Sequence, residues 1–71
     1  MREKILAVLR AENSSINEDT ELITSGLINS FVLTNLVIEL EDILGVQIPF
    51  EEVVEENFKN LDTIEALIKR I

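Results

Sequence analysis

With 71 residues, 46% of them hydrophobic, the chain has room for one small core and no second one, and its two Gly and one Pro are too few for the turns of an all-β domain. It holds no Cys and no His, which excludes disulfide support and the Cys/His ligand sets of structural zinc. The net charge of −8 repels nucleic acid backbones and anionic membranes and steers toward basic partners.

Four helical segments are expected. The first is predicted over Arg2–Glu12, with Ile5, Val8, Leu9 and Glu12 at helical spacing and Ile5, Leu6, Val8 and Leu9 apolar, and Asn13-Ser14-Ser15 stops it. A long connection follows, residues 13–29. Ser15-Ile16-Asn17-Glu18 has capping-box spacing, so a short helical turn is expected inside it. Leu22, Ile23, Leu27 and Ile28 are too apolar for a freely solvated loop and are expected to tuck onto the core. The second helix is predicted over Ser30–Leu44, closed by Gly45 as a left-handed cap. Val46-Gln47-Ile48-Pro49 reads as extended. Pro49 then opens a short third helix including Glu51, Glu52, Val53 and Val54. In the last helix Asp62-Thr63-Ile64-Glu65 forms the expected capping box. Leu61 stands just before it, Ile64, Leu67, Ile68 and Ile71 are the buried stripe, and Lys69 and Arg70 end it.

No apolar run approaches the roughly 20 residues that cross a bilayer. Met1-Arg2-Glu3-Lys4 leads into an amphipathic stretch rather than the apolar segment of a signal peptide. A soluble, cytoplasmic monomer is expected, without nucleic-acid binding or membrane insertion.

The second helix exposes more than packing requires. At about 100° per residue, Leu33, Leu36, Val37, Leu40 and Leu44 fall on one side, flanked by Val32 and Ile43. Phe31, Thr34, Asn35, Ile38, Glu41 and Asp42 fall on the other. Apolar residues beside acids on an exposed face suit a docking surface, the former supplying contact area and the latter orientation and on-rate. Single exposed apolar residues are also common on ordinary surfaces. The charge pattern favours docking onto a basic partner. All Lys and Arg lie at Arg2, Lys4, Arg10, Lys59, Lys69 and Arg70, so none occurs from residue 11 to residue 58. A surface kept soluble by charge would show the same pattern.

Enzyme chemistry is poorly provisioned. With no His, Cys, Tyr or Trp, a serine nucleophile lacks its usual base and no imidazole or thiol is present for a catalytic metal. Glu51, Glu52, Glu55 and Glu56 lack the alternating ligands and central glycine of a calcium loop and read as a solvated face. Of the four serines, Ser14 and Ser15 read as stop and cap residues. Ser30 follows Gly26-Leu27-Ile28-Asn29 and opens the helix with the exposed apolar and acidic face. Its plain role is that of an N-cap, although a helix start also suits an attached phosphodiester.

The segment Leu22-Ile23-Thr24-Ser25-Gly26-Leu27-Ile28-Asn29-Ser30-Phe31, followed by Leu36-Val37-Ile38-Glu39-Leu40-Glu41-Asp42 and Gly45-Val46-Gln47-Ile48-Pro49, resembles the acyl and peptidyl carrier protein family. The resemblance covers nearly the whole chain in length and element order, and the ordered combination of pieces is more specific than any one of them. It implies an all-α four-helix bundle of the acyl-carrier type, with a short third helix and a long loop between helices one and two, as a single carrier domain over residues 1–71. It implies that a phosphopantetheinyl transferase, using coenzyme A and magnesium, attaches 4'-phosphopantetheine at Ser30. The arm's thiol would then hold the cargo, so a chain without cysteine could serve thioester chemistry.

The same resemblance makes Phe31, Asn35, Ile38, Glu41 and Asp42 the recognition positions, with Asn29 beside the attachment residue. The partners it implies are the transferase, a loading ligase or acyltransferase, and downstream enzymes with basic docking patches. The family usually has Asp-Ser-Leu where this chain has Asn29-Ser30-Phe31. Loss of the acid removes a charge that a transferase could read directly or through its metal, and a narrower choice of transferase is expected. Gly-Leu-Ile-Asn-Ser is closer in style to aminoacyl and peptidyl carriers, free-standing D-alanyl carriers included, than to the fatty-acid synthesis type. Two other readings remain at this point: an unmodified acidic helical adaptor that binds a basic protein through helix two, and a small hydrolase using Ser30, for which no base can be named.

Overall fold

Three α-helices and two 3₁₀ turns make up the chain in the computed structural model, which describes residues 1–71 and contains no strand. Helix α1 runs Arg2–Glu12 and buries Ile5, Val8 and Leu9. It stops where Asn13 turns extended (φ −154°). There Asn13 Oδ1 accepts from the Ser15 amide (3.0 Å) and the Ser15 hydroxyl (2.7 Å), a local bond that competes with further helix.

The connection to the next helix holds no helical turn, contrary to the Ser15–Glu18 spacing. Short polar side chains satisfy its backbone instead: the Asn17 amide donates to Thr20 Oγ1 (2.9 Å) and the Asp19 amide to Asn17 Oδ1 (2.8 Å). Ile16, Leu22 and Ile28 are buried, and Ile23 and Leu27 pack against the core, as their apolarity requires. The Leu22 amide donates to Lys59 O (2.7 Å), which pins the loop just ahead of the last helix.

Helix α2 runs Ser30–Leu44 and buries Leu33, Leu36 and Leu40. Gly45 ends it at φ +67°, the left-handed cap that glycine adopts without a Cβ penalty. The expected third helix is replaced by two 3₁₀ turns, η1 (Phe50–Glu52) and η2 (Glu55–Phe58). Val54 between them is extended (φ −131°, ψ 154°), as a β-branched residue prefers. Asn57 Nδ2 donates to Glu52 O (2.8 Å), occupying a carbonyl that a continuous helix would have needed. Acids at i,i+4 (Glu51/Glu55, Glu52/Glu56) oppose continuation as well.

Helix α3 runs Leu61–Arg70 and starts one residue earlier than the Asp62 box predicts. Asn60 is the cap: its Oδ1 accepts from the Thr63 amide (2.9 Å) while Thr63 Oγ1 accepts from the Asn60 amide (3.2 Å). Glu65 serves elsewhere, accepting from Arg2 (3.1 Å), which also reaches Asp62 (2.7 Å). The bond to Asp62 pushes the Arg2 guanidinium further above its ordinary value, with burial opposing and the charges of Asp62 and Glu65 assisting. Ile71, expected in the buried stripe, caps the helix and is 42% exposed.

The core draws on all three helices, the long connection, Ile48 and Phe58, and no polar residue is buried in it. Helix α1 packs on both α2 and α3, and η2 packs on α3. No helix is long and apolar enough to cross a membrane.

Candidate functional site

The approach to α2 is a closed loop. Leu22 and Ile28 are both buried, and the Ile28 amide donates to Leu22 O (3.0 Å). Between them the chain reverses through Gly26 at φ +78°, while Ser25 Oγ donates to Glu21 O. Asn29 leaves the loop extended (φ −108°, ψ −178°) and caps the helix, its Oδ1 accepting from the Val32 amide (2.9 Å).

Ser30 is therefore the first helical residue and not the cap. It is exposed, and its carbonyl accepts from Thr34 Oγ1 (3.1 Å) while its hydroxyl takes no part in the cap. The Ser30 and Phe31 amides have no backbone acceptor, as befits the first turn of a helix. No acid lies in that turn. The surroundings of Ser30 Oγ thus combine accessibility, an uncommitted hydroxyl and the positive end of a helix dipole, which fits a phosphodiester.

The outer face of α2 continues from this point. Phe31 is 76% and Ile38 59% exposed, and Asn35 and Asp42 are exposed along the same helix. Glu41 is only half exposed, because its Oε2 accepts from the Ile48 amide (2.8 Å). The structure thus leaves Phe31, Asn35, Ile38 and Asp42 open to solvent on α2 and ties Glu41 back to the connection beyond Gly45.

One exposed residue had no signal in the helical periodicity. Phe50, the first residue of η1, is 88% exposed. Only its type, an aromatic directly after Ile48-Pro49, could have marked it. Thr34, Val37, Ile38, Glu41, Ile48, Phe50 and Val53 line an open groove of about 230 Å³.

The model of one protein family, described as the phosphopantetheine attachment site, matches residues 1–71. No curated protein matches the chain, and no solved structure does. The whole-length match agrees with the serine-led, capped helix and its exposed outer face, and the chain belongs to the phosphopantetheine-bearing carrier proteins, which hold substrates on a covalent 4'-phosphopantetheine arm and are not themselves catalysts.

Proposed function

We propose that Ser30 takes the 4'-phosphopantetheine arm and that the chain carries an acyl or aminoacyl group as a thioester on it, delivering that group to partner enzymes. The observation that carries this reading is the division of roles at the start of α2. Asn29 supplies the cap, and the exposed Ser30 hydroxyl is left for chemistry. Ser15 and Ser25, by contrast, commit their hydroxyls to Asn13 and Glu21.

On transfer, Ser30 Oγ forms a bond to the phosphorus of coenzyme A that carries the pantetheine. The pyrophosphate bond breaks, the adenosine bisphosphate half leaves, and the hydroxyl proton goes to a base of the transferase. When bound, the arm supplies the thiol that this chain lacks. The chain's own residues would orient it: the first-turn amides and the positive end of the helix dipole would favour a phosphodiester on Ser30. Asn29, Phe31, Asn35, Ile38, Glu41 and Asp42 present the surface on which the transferase, a loading ligase or acyltransferase, and downstream enzymes with basic patches dock. The two 3₁₀ turns fill the segment after Pro49 where the sequence predicts a short third helix, which supports reading them as its counterpart in an acyl-carrier-type bundle.

Intact-protein mass spectrometry before and after incubation with coenzyme A, magnesium and a broad-specificity phosphopantetheinyl transferase tests the assignment. A gain of one phosphopantetheine on the wild type, absent in Ser30→Ala, is expected. A gain that persists in Ser30→Ala would move the attachment elsewhere. A folded, unmodified protein that no transferase converts would make Asn29 a disabling replacement for Asp and favour an adaptor.

A further inference from the structure

The bond between Glu41 and Ile48 spans the Gly45 turn and links α2 to the segment that ends in Phe50. Ile48 is buried, and Pro49 follows it at φ −59°, a value fixed by its ring. The direction of Phe50 therefore follows from the place of Ile48 with little freedom between. Without the carboxylate the Ile48 amide would lose its acceptor, and an unpaired donor at a buried residue is costly.

Phe50 and Ile38 face the same groove, one from each element. At about 230 Å³ and open to solvent, the groove is smaller than the roughly 300–1,000 Å³ of sites that enclose a small ligand. It suits one apolar side chain of a partner. Glu41 lines it, and Asp42, one turn on from Ile38, and Glu51, next to Phe50, are exposed, while Glu52 is paired with Arg70. A second copy of this chain would bring like charges together, whereas a basic rim would be complementary.

We infer that Glu41 is a positioning residue, which through Ile48 holds Phe50 beside Ile38 and so extends the docking face of α2 onto η1, for a protein partner presenting an apolar side chain rimmed by Lys or Arg. The identity of that partner as a carrier-processing enzyme rests on the function proposed above. Phe50 joins Phe31 and Ile38 as the third apolar anchor of the face, and Glu41 acts on docking as a hydrogen-bond acceptor more than as a charge.

Glutamine separates these two roles, since its side-chain oxygen can still accept from Ile48 while the charge is gone. The probe is the broad-specificity phosphopantetheinyl transferase with coenzyme A. Its KM and kcat would be measured for the wild type, E41A, E41Q, F50S and the double variant E41A/F50S, at low salt and at about 0.5 M salt, where surface charge is screened. Amide hydrogen exchange at Ile48 would be followed in parallel on the free proteins.

E41A and F50S are each expected to raise KM about three- to tenfold with kcat little changed. The double variant should be no worse than the poorer single one, because both remove the same anchor. E41Q should recover most of the E41A loss, fully so at high salt, and keep Ile48 slow to exchange where E41A makes it fast. The inference is overturned if E41Q matches E41A in KM, if the two single losses multiply in the double variant, if F50S leaves KM unchanged, or if sedimentation shows a dimer closed through this face. A wild type that takes no arm would defeat the attachment reading instead. Ile48 exchange in E41A and E41Q would then decide the tether by itself, equal protection in the two sinking it.

Discussion

Helices α2 and α3 both start on an asparagine cap and both bury a stripe of Leu or Ile, but they use their outer faces in opposite ways. Charged side chains on α3 are spent within the chain: Asp62 and Glu65 bind Arg2, and Arg70 reaches Glu52. On α2 the outward residues Phe31 and Ile38 stay in water, and Ile43, expected to flank the buried stripe, is exposed as well. Apolar surface left in water forgoes roughly 25 cal/mol per Å² of stabilisation. The fold would be served as well by polar residues there. The apolar positions of α3 are explained by folding, and those on the outside of α2 are left for the docking proposed above.

The contrast is most easily broken within α2. Leu36→Ala, at a fully buried position, should cost about 2–5 kcal/mol in urea unfolding, close to the whole stability of so small a protein. Ile38→Ala, two residues on and 59% exposed, should stay within about 0.5 kcal/mol of wild type. Similar losses at the two sites would mean that the outer face of α2 is structural after all.

The caps come next in size. Asn29→Ala and Asn60→Ala should each cost about 0.5–2 kcal/mol. Ser30→Ala should lie within about 0.5 kcal/mol of wild type while preventing attachment, since its hydroxyl does not cap. A cap-sized loss at Ser30 would return the cap to the serine and weaken the division of roles with Asn29. The smallest effect belongs to the ties of α3. Arg2→Met should destabilise less than either cap variant, and its deficit should shrink as salt is raised, as an exposed ion pair predicts. A deficit indifferent to salt would place the role of Arg2 in packing by its aliphatic stem.

Much of this was legible in the residues. The 3.6-residue period of α1 and α2 and the cap at Gly45 placed their bounds, because apolar spacing and left-handed glycine are local properties. The tucked loop was legible because Leu22 and Ile28 have no other reason to be apolar. The identity of each cap was less so. Asn29 and Ser30 are adjacent and both good caps, and the extended backbone of Asn29 decides between them. Asn60 likewise precedes the more conspicuous Asp62 box, whose Glu65 is drawn away by an arginine 63 residues distant. The third helix breaks because Asn57 competes for Glu52 O, a contact that no periodicity encodes. Phe50 and the inward turn of Glu41 depend on how the chain leaves Gly45 and Pro49, which only the three-dimensional arrangement reveals.

With the cap on Asn29 and the arm on Ser30 as proposed, the arrangement also governs how loading and folding influence each other. Were one oxygen to do both jobs, esterifying it would untie the helix, and the loaded form would be the less stable one. With the jobs on neighbouring residues, a phosphodiester at the first turn should instead add about 0.3–1 kcal/mol through the helix dipole. Thermodynamic reciprocity then requires the folded chain to favour the arm-bearing form over the bare one by the same free energy, about two- to fivefold more than the unfolded chain does. So weak a coupling leaves the bare and the arm-bearing forms with nearly the same fold stability.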